Sequence, residues 1–202
     1  MYSIEQFSSD NITSEQYQKL QNFVDQECAN SLHPARSNML DQPPAGMLYL
    51  IKNQLRWQQD HGAIFLVHHN DDVIAVSAVE YPEMSTDWVI GGIRTWIKTQ
   101  HRSTALAGYF LPAQYAWAQQ RDAEFMLLTF NHYNKKAWNA VAGPPRYRRQ
   151  AGWSAWWDDC LAAPEVVTVR HTEQWCVIKP ISQLDNQLNL AKLQSWAKTV
   201  NK

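Results

Sequence analysis

Apolar and polar residues alternate along this chain with two periods, one typical of helices and one typical of strands. Tyr17, Leu20 and Phe23 recur at helical spacing, which predicts a helix over residues 14–29. Ser14 is the expected N-cap of that helix. The same patterns predict, in chain order, a loop over 30–46, a helix over 47–60, a β-hairpin with strands 63–67 and 73–80, a strand over 88–97, a helix over 103–121, a strand over 124–130, a helix over 132–141, an irregular segment over 143–164, a strand pair at 166–170 and 174–178, and a terminal helix over 182–199.

The order of these elements predicts a mixed α/β sheet within one domain. No internal repeat or linker divides residues 1–202, and residues 182–202 are expected to form a C-terminal helical extension. Gly91 and Gly92 lie inside a predicted strand, where they indicate a bulge or a close backbone approach. Pro112 lies inside a predicted helix and indicates a kink or an irregular first turn.

The composition indicates a folded chain without a strong net charge. The 202 residues include 18 Lys and Arg against 19 Asp and Glu, so the net charge of −1 provides no field to hold nucleic acid. Charged residues make up 18% and apolar residues 45%, which is too apolar for a disordered chain. Only seven residues are glycine, which argues against a glycine-rich dinucleotide-binding loop.

The start of the chain and its cysteines favour a cytoplasmic protein. The first residues show no basic patch followed by an apolar run, and no stretch approaches the roughly 18 apolar residues of a membrane helix. Cys28, Cys160 and Cys176 are widely spaced and form no CxxC pair, so neither a disulfide framework nor a zinc site is expected. We interpret each cysteine as a small buried apolar residue in a reducing compartment.

The segment from Ile97 to Ala107 carries the most informative chemistry. A strand ends there, a polar turn holds Arg102, and small residues open the next helix. Free N–H groups at a helix N-terminus favour phosphate, and Arg102 would add a charge-assisted contact. An ordinary strand–helix connection with a solvated arginine explains the same residues, and this segment alone favours that interpretation.

A longer stretch of sequence, residues 88–138, resembles the GNAT superfamily of acyl-CoA-dependent N-acyltransferases. Ile97 stands five residues before Arg102, as the strand-end residue of that family does. Residues 102–107 fit the family's loop, Arg/Gln-x-x-Gly-x-Gly/Ala. Residues 118–122 fit the end of the family's helix, and residues 134–137 (Asn-Lys-Lys-Ala) fit its later Asn-x-x-Ala motif.

The resemblance implies a fold, an acyl donor and a set of donor-binding residues. The fold would be a mostly antiparallel central sheet with splayed central strands, flanked by helices. The donor would be acetyl-CoA, contacted partly by backbone N–H groups near Gly91 and Gly92. The implied cofactor-binding residues are Thr95, Trp96, Ile97, Arg102, Ser103, Thr104, Ala105, Leu106, Ala107 and Asn134.

The chain departs from the family pattern at three positions. Ala105 and Ala107 replace the two loop glycines, and the family tolerates the second replacement. The methyl group of Ala105 narrows the room for a pyrophosphate if the backbone needs a positive φ there. The family commonly has a Tyr, acid to the departing thiolate, four residues after the Asn-x-x-Ala motif, and Val141 stands there in this chain.

Two carboxylates and two tyrosines are candidates for moving protons. Glu80 ends a predicted strand and Glu83 follows it; a carboxylate beside a Trp-rich cleft can accept an amine proton. The alternative for each is a solvated charge at the end of a strand. Tyr133 is the first candidate acid and Tyr147 the second, and packing with a satisfied hydroxyl is the alternative for both.

Trp153, Trp156 and Trp157 fall in the predicted irregular segment, where a substrate lid would lie. They either anchor a long loop to the core or form an aromatic wall that binds a flat or apolar acceptor. Three arginines lie within residues 146–149. They form a solvated surface, or they contact the 3′-phosphate of coenzyme A or an acidic substrate.

Three functions remain open. The first is an N-acetyltransferase that transfers an acetyl group from acetyl-CoA to a small-molecule or peptide amine acceptor. The second is a GNAT-fold protein that binds acyl-CoA or regulates a partner without turnover. The third is an interaction module whose tryptophans bind a partner. No nucleic acid, membrane or metal is expected as a partner, and the sequence leaves monomer and homodimer open.

Overall fold

The computed structural model describes residues 1–28, 43–82, 87–102, 107–131, 161–169, 172–182 and 186–200. The chain divides into two compact units. The first unit comprises Met1–Glu80 with Gly92–Gln114, and the second comprises Tyr81–Gly91 with Tyr115–Lys202. The expected single domain with a C-terminal extension stays a prediction.

The described residues form, in chain order, one strand, two helices, three strands, a helix, three strands and a last helix. The strands are β1 (Tyr2–Phe7), β2 (Gly62–His69), β3 (Asp72–Glu80), β4 (Val89–Ile97), β5 (Phe125–Asn131), β6 (Leu161–Val169) and β7 (Thr172–Pro180). The helices are α1 (Ser14–Cys28), α2 (Pro43–Lys52), α3 (Ala107–Gln119) and α4 (Asn186–Val200). A short 3-10 turn covers Thr99–His101. Both β4 and α3 contribute residues to each unit.

The strands of the first unit follow the order β1-β2-β3-β4. The β1–β2 and β2–β3 pairs are antiparallel, and β2 turns into β3 at Asn70, whose φ of 57° asparagine tolerates. Almost every residue of β2 and β3 is buried, because these apolar strands are covered on both faces. Helices α1 and α2 complete a core with them, built from Leu20, Phe23, Val24, Met47, Ile51, Trp57, Ile64, Leu66, Val76 and Ala78.

The strands of the second unit follow the order β4-β5-β7-β6. β4 runs parallel to β5, and their described ladder joins residues 89–91 to residues 126–128. The β5–β7 and β6–β7 pairs are antiparallel, so the sheet is mixed. Trp88 lies in the core of this unit, where its ring stacks on Phe125 at 5.2 Å and meets the edge of the Trp196 ring at 5.4 Å.

The strands that were predicted from apolar runs are confirmed. The β2–β3 hairpin, β4, β5 and the β6–β7 pair lie where the apolar runs predict strands, and the expected mixed sheet is confirmed. Cys176 is buried, as predicted. The predicted helix over 132–141 and residues 143–160 of the predicted irregular segment lie outside the described residues.

The structure differs from the prediction in one strand and at three element boundaries. Strand β1 is not predicted, because it is an edge strand with only Phe7 fully buried. The predicted loop over 30–46 is wrong at its end, since α2 begins at Pro43, a residue that the first helical positions accommodate. The helix prediction is wrong beyond Lys52. Residues 161–164 belong to β6, whose register shifts after Ala163, so Pro164 lies at a bulge of an edge strand.

The N-terminus of α1 is capped by Thr13, not by the predicted Ser14. The Gln16 backbone N–H donates to Thr13 Oγ1 at 3.2 Å, and the Thr13 backbone N–H donates to Gln16 Oε1 at 2.8 Å. This reciprocal pair is a capping box. Pro112 lies inside α3 as predicted, and a kink there stays a prediction.

Candidate functional site

The open edge of β4 in the first unit is the candidate functional site. β4 is the last strand in the order of that unit, so one edge of residues 92–97 has no neighbouring strand among the unit's described residues. All six residues are half-buried, whereas β2 and β3 are buried almost throughout. Such an edge presents backbone N–H and C=O groups at the spacing that an extended ligand can pair with.

The backbone of this edge departs from a regular strand at two positions. Gly92 has a φ of 69° and Arg94 has a φ of 49°, both in the left-handed region. Glycine adopts this region without penalty, whereas an arginine there is uncommon and marks local strain. The predicted close approach is confirmed at Gly91, where a Cβ atom would lie 2.6 Å from Met126 Sδ.

A ring of hydrogen bonds joins Gly92 to three side chains of the first unit. The Gly92 N–H donates to Gln114 Oε1 at 2.8 Å, and Gln114 Nε2 donates to Ser77 Oγ at 2.9 Å. Ser77 Oγ lies 2.8 Å from Thr95 Oγ1, which donates back to the Gly92 carbonyl at 2.6 Å. The side chains that hold Gly92 in its left-handed conformation therefore come from β3, β4 and α3.

Sequence reasoning missed two members of this ring, Ser77 and Gln114. Each is a single polar residue between apolar neighbours, Ser77 within the run Val-Ser-Ala-Val of β3 and Gln114 within the apolar helix α3. Both are 0% exposed. Because buried polar groups are nearly always hydrogen-bonded, a lone polar residue in an apolar element is the signal that could have found them.

Arg102 lies at the end of the turn that follows β4. Its Nε donates to the Ile97 carbonyl at 2.9 Å, and its guanidinium lies 4.9 Å from the centre of the Trp96 ring. Trp96 is in turn held by a hydrogen bond from Nε1 to Glu27 Oε2 at 3.1 Å. The exposed arginine is thus fixed close to the end of β4.

The turn itself is anchored by the buried Lys98, which is 4% exposed. Lys98 Nζ donates to both carboxylate oxygens of Asp72 at 2.8 Å and to Gln26 Oε1 at 2.9 Å. The His101 N–H donates to the Lys98 carbonyl at 2.8 Å and closes the turn. A salt bridge to β3 and a hydrogen bond to α1 therefore fix where the turn begins.

Glu80, the predicted base, is not a solvated charge. It is 6% exposed and forms an ion pair with Arg56, whose side chain is 29% exposed. Glu80 lies opposite Gly62 in the β2–β3 register, and Trp57 packs against that glycine. The carboxylate is thus engaged by a guanidinium from the segment that follows α2.

The structure brings part of the predicted donor-binding set together. Thr95, Trp96, Ile97 and Arg102 lie on one continuous stretch of the first unit, and Ala107 begins α3. The remaining predicted residues lie outside the described residues: Ser103, Thr104, Ala105, Leu106, Tyr133, Asn134, Trp153, Trp156 and Trp157, together with Glu83, Tyr147 and the arginines within 146–149. Their roles stay predictions.

Two cavities of the first unit lie apart from the β4 edge. One, of about 100 Å³, is lined by α1 and the start of β3; the other, of about 500 Å³, lies between α1 and β1. Neither is lined by a predicted site residue. The described residues contain no cluster of three His, Cys, Asp or Glu side chains suited to a metal ion. No helix among them is both long and apolar enough to cross a bilayer.

Comparison with known proteins finds similarity in structure and not in sequence. No protein-family model and no curated protein matches the chain. It is similar to a protein assigned to the GNAT family of acetyltransferases from Desulfovibrio desulfuricans, with a TM-score of 0.58 and 9% identity over 90% of this chain and 100% of that one. It is also similar to an acetyltransferase from Streptococcus agalactiae, with a TM-score of 0.57 and 12% identity over 89% of this chain and 98% of that one.

An acyl-CoA N-acyltransferase from Pseudomonas aeruginosa is similar as well, with a TM-score of 0.53 and 12% identity over 89% of this chain and 99% of that one. At such identities the likeness concerns the fold. The mixed sheet and the order of β4, the Arg102 turn and α3 along the chain agree with what the sequence resemblance implies. The chain therefore has the fold of the GNAT superfamily of acyltransferases.

Proposed function

We propose that this protein is an N-acetyltransferase that transfers the acetyl group of acetyl-CoA to the amine of a small-molecule or peptide acceptor. Beyond the fold, one observation carries the proposal: the open edge of β4, with its left-handed Gly92, is followed along the chain by the Arg102 turn and then by α3. A strand edge pairs with an extended ligand, and a helix N-terminus binds an anion. An acyl-CoA combines both features in one molecule.

The described residues fit the two ends of such a donor. Its pantetheine arm carries amide groups, which can pair with the backbone of residues 93–97 as an added strand would. Its pyrophosphate would lie at the start of α3, beside the exposed Arg102. The bond from Arg102 to the Ile97 carbonyl and the contact with Trp96 hold the guanidinium in place for a charge-assisted contact.

The transfer forms a bond between the acceptor nitrogen and the acyl carbon, and it breaks the C–S bond of the thioester. Backbone N–H groups along the open edge would stabilise negative charge that develops on the thioester oxygen. The acceptor ammonium must lose a proton and the departing thiolate must gain one. We assign proton removal to solvent water, since Arg56 engages Glu80, and keep Tyr133 as the proposed acid.

The acceptor would lie against Trp153, Trp156 and Trp157, which we propose as its aromatic wall. A panel of flat aromatic, aliphatic and peptide amines tests the wall, because stacking favours the flat compounds. Equal rates across the panel would contradict it.

A non-catalytic acyl-CoA-binding or regulatory protein is the second candidate. The observation that favours it is the ion pair of Glu80 with Arg56, which occupies the predicted base. In that case the β4 edge would bind the donor without turning it over. Binding and thermal stabilisation would then be identical for the two functions, and only product formation would separate them.

Calorimetry with acetyl-CoA and a thiol-release assay on the amine panel test both candidates. For an enzyme we expect measurable heat, a raised melting temperature and free coenzyme A in equal amount to the acetylated amine. Binding without thiol release for any amine would favour the second candidate. Absence of both heat and thermal shift at millimolar acetyl-CoA would reject the two together.

A further inference from the structure

The ring of hydrogen bonds through Gly92 runs in one direction around its four members. The Gly92 N–H can only donate, so Gln114 presents its oxygen there and its amide nitrogen to Ser77. The Thr95 hydroxyl donates its proton to the Gly92 carbonyl. The proton between the two hydroxyls must therefore come from Ser77, and every donor in the ring has one acceptor.

Gln114 is the member that other residue types cannot replace. Its side chain is fully buried and must both accept from a backbone N–H and donate to a hydroxyl. Glutamate lacks the donor, leucine lacks both groups, and asparagine is one carbon shorter. The ring thus requires a primary amide at the length of glutamine, reaching from α3 to β4.

The ring decides how the open edge of β4 is presented. It uses both the N–H and the C=O of Gly92, the residue with a φ of 69°. A left-handed residue changes the direction in which the next peptide groups point, so Gly92, together with the left-handed Arg94, sets the orientation of those N–H groups of residues 93–97 that lie on the open edge. These are the groups that we propose to contact the acyl donor.

We propose that Gln114 is a positioning residue for the acyl donor: by closing the ring it holds β4 at Gly92 in the conformation that binds acetyl-CoA. This inference rests on the function proposed above. Gln114 does not itself contact the donor; it acts through Gly92. Preorganised backbone donors bind without reorganisation, so releasing Gly92 from the ring lowers the affinity for the donor even in a folded protein.

Three variants separate this role from a general contribution to stability. Gln114→Leu removes both hydrogen bonds of the amide at similar volume. Ser77→Ala opens the ring at another point and keeps the Gly92–Gln114 bond, so it serves if Gln114→Leu does not fold. Leu111→Ala is the matched control, since Leu111 is a buried residue of α3 in the same unit, 4% exposed, that takes no part in the ring.

Acetyl-CoA affinity is measured by calorimetry at a temperature where circular dichroism shows each variant folded, and Gly92 amide exchange is measured by NMR. We expect Gln114→Leu to weaken binding about tenfold, or about 1.4 kcal/mol, and to speed Gly92 exchange at least tenfold. Ser77→Ala should weaken binding about threefold, and Leu111→Ala should leave both quantities within twofold.

Two results would overturn the role of Gln114 alone. One is unchanged affinity in a folded Gln114→Leu, or in Ser77→Ala where the first does not fold. The other is an equal loss in Leu111→Ala, which would mean that any loosening of α3 weakens binding. A wild-type protein that binds no acetyl-CoA overturns the proposed function, and the donor-positioning role falls with it even if Gly92 exchange behaves as expected.

Discussion

Removing the guanidinium of Arg56 should show how much the ion pair with Glu80 stabilises the fold. The Glu80 side chain is 8% exposed and that of Arg56 is 29% exposed, so the pair is buried mainly on the carboxylate side. Removing one partner of a buried pair leaves a desolvated charge, which destabilises a protein by about 3–5 kcal/mol. Because Arg56 keeps some contact with water, we place Arg56→Leu at the low end, about 3 kcal/mol.

Glu80→Gln should be milder, because the amide oxygen still accepts a hydrogen bond from Arg56. The difference between a charged and a neutral hydrogen bond is about 1 kcal/mol. For a chain of this length, thermal denaturation should then show a loss of about 6–12 °C for Arg56→Leu and about 2–4 °C for Glu80→Gln. Glu15→Gln is the matched control, since Glu15 forms an exposed pair with Lys19, and no measurable change is expected there.

The same variants test whether Glu80 accepts the amine proton. If Glu80 holds the end of β3 through Arg56, folded Glu80→Gln should keep its turnover within about threefold of wild type. A loss of a hundredfold or more with an unchanged fold would refute this reasoning and establish Glu80 as the base. Wild-type stability of Arg56→Leu would refute the structural role instead.

Three further predictions concern other parts of the fold. A Cβ atom at Gly62 would lie 2.8 Å from Trp57 Cδ1 and 2.7 Å from a backbone oxygen, so Gly62→Ala should destabilise by about 1–3 kcal/mol; urea unfolding with an unchanged midpoint would contradict this. Burial raises the pKa of the Cys176 thiol to about 12, whereas an unfolded thiol ionises near about 8.5. With the other cysteines replaced, Cys176 should therefore resist iodoacetamide at about pH 9 in the folded protein and react in urea; equal rates would disprove its protection. Arg102→Gln should weaken acetyl-CoA binding about fivefold by calorimetry, with Lys19→Gln as an unaffected surface control, and an unchanged affinity would remove Arg102 from the site.

The sequence predicted the buried strands well, because their side chains carry the signal. β2 and β3 are continuous apolar runs that the fold covers on both faces. β1 escaped prediction because it is joined to β2 by backbone hydrogen bonds and buries little side-chain surface. The start of α2 at Pro43 was missed for a related reason. Proline is common both in loops and at the first position of a helix, so the sequence alone does not decide between the two.

The sequence predicted the part of the candidate site that lies within one contiguous stretch, but not the contacts between residues far apart in the chain. The resemblance to the GNAT motif identified β4, the Arg102 turn and the helix that follows, all within one stretch of sequence. The ring that shapes β4 joins Gln114 to Ser77, which lie 37 residues apart. The turn after β4 is anchored by the bond from Lys98 to Gln26, which lie 72 residues apart. Such contacts depend on which elements pack together, and no local spacing encodes them.

Glycine is scarce in this chain, and three of its glycines lie at positions of the sheet where a side chain would not fit or would be strained. Gly62 and Gly91 lie where a Cβ atom would meet neighbouring atoms at 2.7 and 2.6 Å, and Gly92 has a left-handed φ. Each therefore stands where the sheet requires it. A helix N-terminus instead binds an anion through N–H groups that alanine also has, and Ala107 lies in the first turn of α3, where φ is negative. Alanine at 107 is thus compatible with donor binding, and the conformational question narrows to Ala105 alone.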